Sequence, residues 1–190
     1  HWRLKLWRKW NNTRLLPSSY NPIPPRDPRG SSVSMTCSKP ESSEPRIEEL
    51  RRKVRAVKLL LLDVDGVLTD GGIIIDERGE EVTRFDVQDG HGIKLLQQAG
   101  IRVGLLTGRA SRAVAVRAHR LSIDLVYQNV ADKLRGYEKI KADTGLTDTE
   151  IAYVGDDMQD LPVMRRVAFA VAVKNARGLL KARADYVTTC

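Results

Sequence analysis

Cysteine is nearly absent from this 190-residue sequence, which has only Cys37 and Cys190. Two thiols so placed build neither a disulfide framework nor a thiolate zinc cluster. Aromatic residues are also few, at 5%. No apolar run approaches the roughly 20 residues of a membrane-crossing helix, and no signal-peptide core is visible. These absences exclude a disulfide-stapled secreted module and a helical membrane protein. The expectation is a soluble, cytoplasmic protein with no membrane partner. The length suits one ordinary domain and is too short for two well-packed ones.

Acidic charge is scarce too, but only in one part of the chain. The formal net charge is +8. Residues 1–57 hold 13 Lys+Arg against 5 Asp+Glu, whereas residues 58–190 hold 19 of each. The excess is therefore confined to the leader, and a neutral body argues against nucleic acid as a partner. Trp2, Trp7, Trp10 and seven of the eight Pro also lie before residue 58. Such a stretch, rich in Pro, Ser and Arg, buries too little apolar surface to offset its ordering entropy. Residues 1–45 are expected to be a disordered basic leader, and 46–190 the folded domain. Two readings of the leader stay open: a targeting peptide, or sequence upstream of a start at Met35.

From Val57 onward, strands and helices alternate. VKLLLLDV is an apolar run ending in acid, the pattern of a strand buried on both faces of a parallel sheet. GGIIIDERGEEVTRFDV reads as a projecting hairpin around Glu77, Arg78 and Gly79. GHGIKLLQQAG reads as a helix closed by Gly100, followed by strand IRVGLLT. Helices are expected near 47–56, 110–119 and 133–142, then strand IAYVG, a helix begun by Asp156 to Asp160, strand AFAVAV, helix NARGLLKA and strand DYV. This alternation predicts an α/β fold: a Rossmann-like parallel sheet with helices on both faces. Ligands of such sheets sit beyond the carboxyl ends of the strands.

The polar clusters fall at those ends. Asp63 and Asp65 stand two apart beyond the first strand, with Gly66 permitting a sharp turn. An EF-hand calcium loop would need an oxygen ligand where Val67 stands. GDDMQD brings Asp156, Asp157 and Asp160 to a second strand end. Four or five carboxylates at one sheet edge need a divalent ion, and oxygen-only ligands suit magnesium. Thr107 and Arg109 in LLTGRAS, with Lys133 in ADKLRG, supply donors and positive charge for phosphoryl oxygens. Singly, each has a plainer explanation: an Asx turn for the first motif, helix-terminus acids for GDDMQD, an N-cap for Thr107 and a surface role for Lys133.

The order D-x-D-G-V, T-G-R, D-K, G-D-D-x-x-D, each after an apolar strand, resembles the haloacid dehalogenase superfamily of phosphohydrolases over residues 57–189. That resemblance implies Asp63 as nucleophile forming an aspartyl-phosphate, and Asp65 as the acid and then the base. It implies that Thr107 and Lys133 hold the phosphoryl oxygens. Mg2+ would lie on Asp63, the Asp65 carbonyl and Asp156, with Asp157 in support. About forty residues separate Asp65 from Thr107, and the hairpin and one helix consume them, leaving no room for a cap domain.

DVDGVLTDGGI, FDVQDGHGIKLL, AYVGDDMQDLPVM and ADYVT resemble more narrowly the capless branch of 3-deoxy-D-manno-octulosonate 8-phosphate phosphatases. The branch implies hydrolysis of a phosphorylated eight-carbon sugar acid in lipopolysaccharide synthesis, and a homotetramer assembled through the hairpins. Substrate contacts are implied at Asp65, on the loop Asp86, Val87, Gln88, Asp89 and Gly90, and at Lys94, Arg109, Arg117 and Lys133. Relatives often have Arg where Gln88 stands, and they continue beyond YVTT into a Gly-rich tail where this sequence ends at Cys190. The alternatives are a phosphatase for a nine-carbon sialic-acid-type 9-phosphate and a non-catalytic, phosphatase-like oligomerisation domain.

Overall fold

The computed structural model describes residues 44–189. The expectations for most of the leader and for Cys190 lie outside the described residues. Helix α1 spans Glu44–Ala56. It leads into β1 (Leu59–Leu62), whose four leucines are all buried. There follow β2 (Ile74–Ile75), β3 (Glu81–Val82), α2 (Val87–Gln98), β4 (Arg102–Leu106) and α3 (Arg112–Arg120). After β5 (Leu125–Tyr127) and α4 (Lys133–Thr144) come β6 (Ile151–Gly155), α5 (Leu161–Met164), β7 (Phe169–Ala172), α6 (Gly178–Arg183) and β8 (Tyr186–Val187). Short 3-10 turns occupy Asp148–Glu150 and Met158–Asp160.

Six strands form one sheet in the order β5-β4-β1-β6-β7-β8, and every pairing in it is parallel. β1 sits at the centre, with Leu60 opposite Val103 of β4 on one side and Ala152 of β6 on the other. A strand flanked on both edges and covered on both faces tolerates only apolar residues, which is why LLLL is continuous rather than alternating. From β1 the chain winds outward through β4 and β5, then returns and winds the other way through β6, β7 and β8. Right-handed crossovers send the connections of the two halves to opposite faces. The chain therefore leaves β1 and β6 towards opposite faces, and the carboxyl ends of these two strands lie where open α/β sheets bind ligands.

Three local readings differ from the sequence expectation. The hairpin is there, but its paired strands are two residues each, Ile74 opposite Val82 and Ile75 opposite Glu81. It is closed by Asp76, whose carboxylate accepts from the Arg78 and Glu80 amides. Helix α2 begins three residues before the expected Gly90, because the Asp86 carboxylate caps it by accepting from Gln88 N at 2.7 Å. The stretch expected as a loop at Asp86–Gly90 is thus a cap and first turn. The helix expected to start at Asp156 is instead a 3-10 turn leading into the short α5.

Candidate active site

Asp63 is the first residue beyond β1. Its amide extends the ladder to Val154 O at 3.0 Å, which leaves its side chain at the sheet edge, only 5% exposed. Lys133 opens α4 behind Asp132, whose carboxylate caps that helix by accepting from Leu134 N and Arg135 N. The cap directs the lysine back over the strand ends, where it is buried. Its ammonium stands 2.9 Å from Asp63 Oδ2 and 2.6 Å from Asp160 Oδ1.

Asp160 is fully buried and saturated. Oδ1 accepts from Lys133 Nζ and from Tyr153 OH, both at 2.6 Å, and Oδ2 accepts from the amides of Asp156 and Asp157 at 2.9 and 3.1 Å. In the sequence Asp160 shows only as a member of the acidic cluster, and Tyr153 only as a residue of an apolar strand. The available signal was the spacing of GDDMQD, which folds the fourth residue back beneath the amides of the first two.

Burial and the nearby Asp160 charge push the Asp63 carboxyl up to about 7, although Lys133 opposes the shift. Burial, then Asp160 and Asp157, push Asp156 up to about 6. Burial lowers the Lys133 ammonium, but Asp63 and Asp160 outweigh that, and the net shift is upward. Carboxylate oxygens of Asp63, Asp156 and Asp160 lie within 4.8 Å of one another. One lysine against three acids leaves excess negative charge in a poorly solvated place, and a dication would relieve it. Because the acceptor positions of Asp160 are taken, the oxygens open to such an ion belong to Asp63 and Asp156. An all-oxygen donor set fits magnesium.

The two loops touch at Gly66, where φ is +79° and a Cβ would run into the Asp156 carboxylate. Only glycine meets both demands. Thr69 Oγ1 braces the turn, accepting from Gly66 N and Gly71 N at 3.2 Å each. Asp65 lies on the open side, its side chain 43% exposed and 3.9 Å from the Arg109 guanidinium. Thr107 follows β4, is 2% exposed, and accepts from Arg109 N through Oγ1 at 3.3 Å. Asp157 caps the 3-10 turn at Met158 N and meets Arg177 Nε at 3.3 Å.

A sequence model described as haloacid dehalogenase-like hydrolase matches residues 114–190. The 3-deoxy-D-manno-octulosonate 8-phosphate phosphatase of Escherichia coli K12 is 40% identical over 153 residues, covering 80% of this chain and 79% of the relative. The chain is a haloacid dehalogenase-like hydrolase of that phosphatase family. The Salmonella typhimurium phosphatase is 43% identical over 136 residues, 72% of each chain. Among solved structures, a subfamily III A hydrolase from Legionella pneumophila superposes with a TM-score of 0.75 at 42% identity, covering 77% of this chain and 80% of that one. The Moraxella catarrhalis 3-deoxy-D-manno-octulosonate 8-phosphate phosphatase, solved with magnesium ion, phosphate ion and KDO, gives 0.72 at 38%, covering 75% of this chain and 81% of that one.

In this haloacid dehalogenase-like hydrolase, Asp63, Asp65, Thr107, Lys133, Asp156 and Asp157 all lie at the loops beyond β1, β4 and β6 or at the start of α4. The residues expected on the sugar side are more scattered. Arg109 leans away from the Asp63 cluster onto the hairpin, its Nη2 2.6 Å from Glu81 Oε1. Arg117 Nη2 donates to Asp86 O at 3.0 Å and its guanidinium lies 5.8 Å from the Phe85 ring centre. It approaches Gly90 so closely that a Cβ there would lie 2.6 Å from Nη2. Arg117 thus braces the first turn of α2, from which Val87 and Gln88 project into solvent while Asp89 and Gly90 are buried. Lys94 is not brought to the site in this chain. Helix α2 runs back down the sheet, so Lys94 lies about 10 Å below its start, and its ammonium meets Ser122 Oγ at 3.0 Å near the amino end of β5.

Proposed function

We propose that this chain hydrolyses 3-deoxy-D-manno-octulosonate 8-phosphate to the free sugar acid and inorganic phosphate, with Mg2+ as cofactor, in lipopolysaccharide synthesis. The observation that carries the reading is a buried Asp63 at a strand end, paired at 2.9 Å with Lys133, beside a half-exposed Asp65. Relatives at 40% identity bear the name of that activity.

In this reading Asp63 attacks phosphorus in line, forming a bond from its carboxylate oxygen while the bond from phosphorus to the sugar oxygen breaks. Asp65 gives the leaving alkoxide its proton. Water then attacks the aspartyl-phosphate, Asp65 takes the proton from that water, and Asp63 is released with phosphate. Lys133 holds a phosphoryl oxygen and favours the anionic form of Asp63, opposing the upward pull of burial and Asp160, and Thr107 donates its hydroxyl to a second oxygen. Asp63, Asp156 and the Asp65 backbone carbonyl would hold the magnesium ion, with Asp157 in support. When bound, the ion offsets the charge of phosphate and carboxylate that would otherwise repel each other.

Arg109, Arg117 and the exposed Val87 and Gln88 are assigned to the rim that receives the sugar acid, with Asp86, Asp89 and Gly90 shaping its floor. Lys94 would belong to this rim only if α2 moved. The finer readings are a homotetramer and a cytoplasmic site of action. Ile73, Ile74, Ile75 and Val82 of the hairpin are 61, 53, 63 and 51% exposed, an apolar patch that a second copy would cover. Among the described residues no helix is long and apolar enough to cross a membrane.

Parallel assays of phosphate release with Mg2+ test the substrate. The reading expects a much higher kcat/KM on the eight-carbon 8-phosphate than on a nine-carbon sialic-acid-type 9-phosphate. Equal rates, or the reverse order, would overturn the substrate. No release from any small phosphate ester by a protein that still assembles would favour a non-catalytic role.

A further inference from the structure

The loop between β7 and α6 ties together the two segments that carry the Asp63 and Asp156 carboxylates. Asn175 Nδ2 donates to Gly66 O at 2.9 Å, across 109 residues of sequence. Two residues on, Arg177 N donates to Asp156 O at 2.9 Å. The loop can bear load because it is itself pinned. Ala176 is buried, and Lys174 N donates at 2.8 Å to the hydroxyl of Thr188, itself 3% exposed.

Gly66 is the point at which the first loop meets the Asp156 carboxylate. Its amide is held by Thr69 Oγ1 and its carbonyl by Asn175. With both ends of the residue fixed, the peptide linking Asp65 to Gly66 has little freedom to rotate, and that peptide supplies the carbonyl assigned to the ion. A conformation with φ of +79° has no side-chain packing of its own to hold it. The orientation is held by these two hydrogen bonds, by the contact with Asp156 and by the turn that the amides of Val67, Leu68 and Thr69 close onto Val64 O.

We propose that Asn175 is a positioning residue of the metal site, acting through the Gly66 carbonyl and never touching ion or substrate. The proposal rests on the magnesium reading above. Groups that orient metal ligands typically affect affinity by about 10- to 100-fold. Asn175 is itself exposed, so its replacement should disturb the fold little.

The test is calorimetric titration of the metal-free protein with MgCl2, without substrate, for the wild type, Asn175→Ala and Asn175→Leu. Both variants lack the amide donor but differ in bulk. Each should bind Mg2+ at least about tenfold more weakly, while the metal-free melting temperature moves by less than about 2 °C. Wild-type affinity in either variant would overturn the proposal and leave the magnesium reading intact. A metal-free melting temperature that falls in step with the affinity would overturn it in favour of a merely structural tie. No Mg2+ binding by the wild type would overturn the magnesium reading and the proposal together.

Discussion

Replacing Asp160 by asparagine keeps the shape of the side chain and removes its charge. The carboxylate accepts four hydrogen bonds, two at each oxygen. An amide has one oxygen, so whichever way it turns, its NH2 group faces donors. Turned towards the amides of Asp156 and Asp157, it opposes two peptide N–H groups. Turned towards Oδ1's partners, it can donate to the Tyr153 hydroxyl, which rotates to accept, but it meets the Lys133 ammonium head on. The second arrangement is the cheaper, and it costs one charge-assisted bond and one like-dipole contact in a fully buried place. At roughly 1.5–3 kcal/mol for such a bond, the total loss is about 3 kcal/mol. For a domain of this size that lowers the metal-free melting temperature by about 6–12 °C. The assay is thermal unfolding in EDTA, paired with Mg2+ titration of the folded variant. Magnesium affinity should fall less than about tenfold, because Asp160 is an anchor of the network and not a ligand. An unchanged metal-free melting temperature with magnesium binding abolished would refute this and make Asp160 a ligand.

Two other outcomes follow from the same geometry. With burial holding Asp63 at about 7 and Asp156 at about 6, both well above the ordinary carboxylate range, the folded metal-free protein binds more protons than the unfolded chain. Their contribution to stability is fully present below the unfolded value and is lost as pH rises through about 6 to about 7. Melting in EDTA should therefore weaken from about pH 5 to about pH 8, whereas Mg2+ affinity should rise over the same window as protons cease to compete. Glu81→Gln should release Arg109 from the hairpin carboxylate that now occupies it. The KM for the sugar acid phosphate should fall about threefold with little change in kcat, as for an exposed ion pair of modest strength; a raised KM would show that Glu81 orients Arg109 for the substrate.

The sheet and its catalytic edge were legible because each depends on short-range patterns. LLLL can be continuous only where a strand is covered on both faces, and an acid directly after such a run can only emerge at the sheet edge. Asp63, Thr107 and Asp156 stand out by their places just after apolar strands, and Lys133 by its place at a helix start in the order of the motifs. What was not legible depends on partners distant in sequence. The saturation of Asp160 needs Lys133 and Tyr153 together, and the capture of Arg109 needs Glu81 from a hairpin that pairs over only two residues per strand. The runs around Ile74 and Val82 look like longer strands because β-branched residues favour extended backbone, but among the described residues no further strand lies beside them. The Asp86 cap moved the start of α2 by three residues. Lys94, counted as near the site in sequence, was carried by helical rise to the far end of the sheet.

The most direct test of the central claim, that Asp63 attacks phosphorus, is the single-turnover rate of phosphate release from the eight-carbon sugar acid phosphate by the wild type and by Asp63→Asn with saturating Mg2+. The account predicts release by the wild type and a loss of about 10⁴-fold or more in the variant, with a folded protein confirmed by its melting curve. Release by Asp63→Asn within about tenfold of the wild type would contradict it.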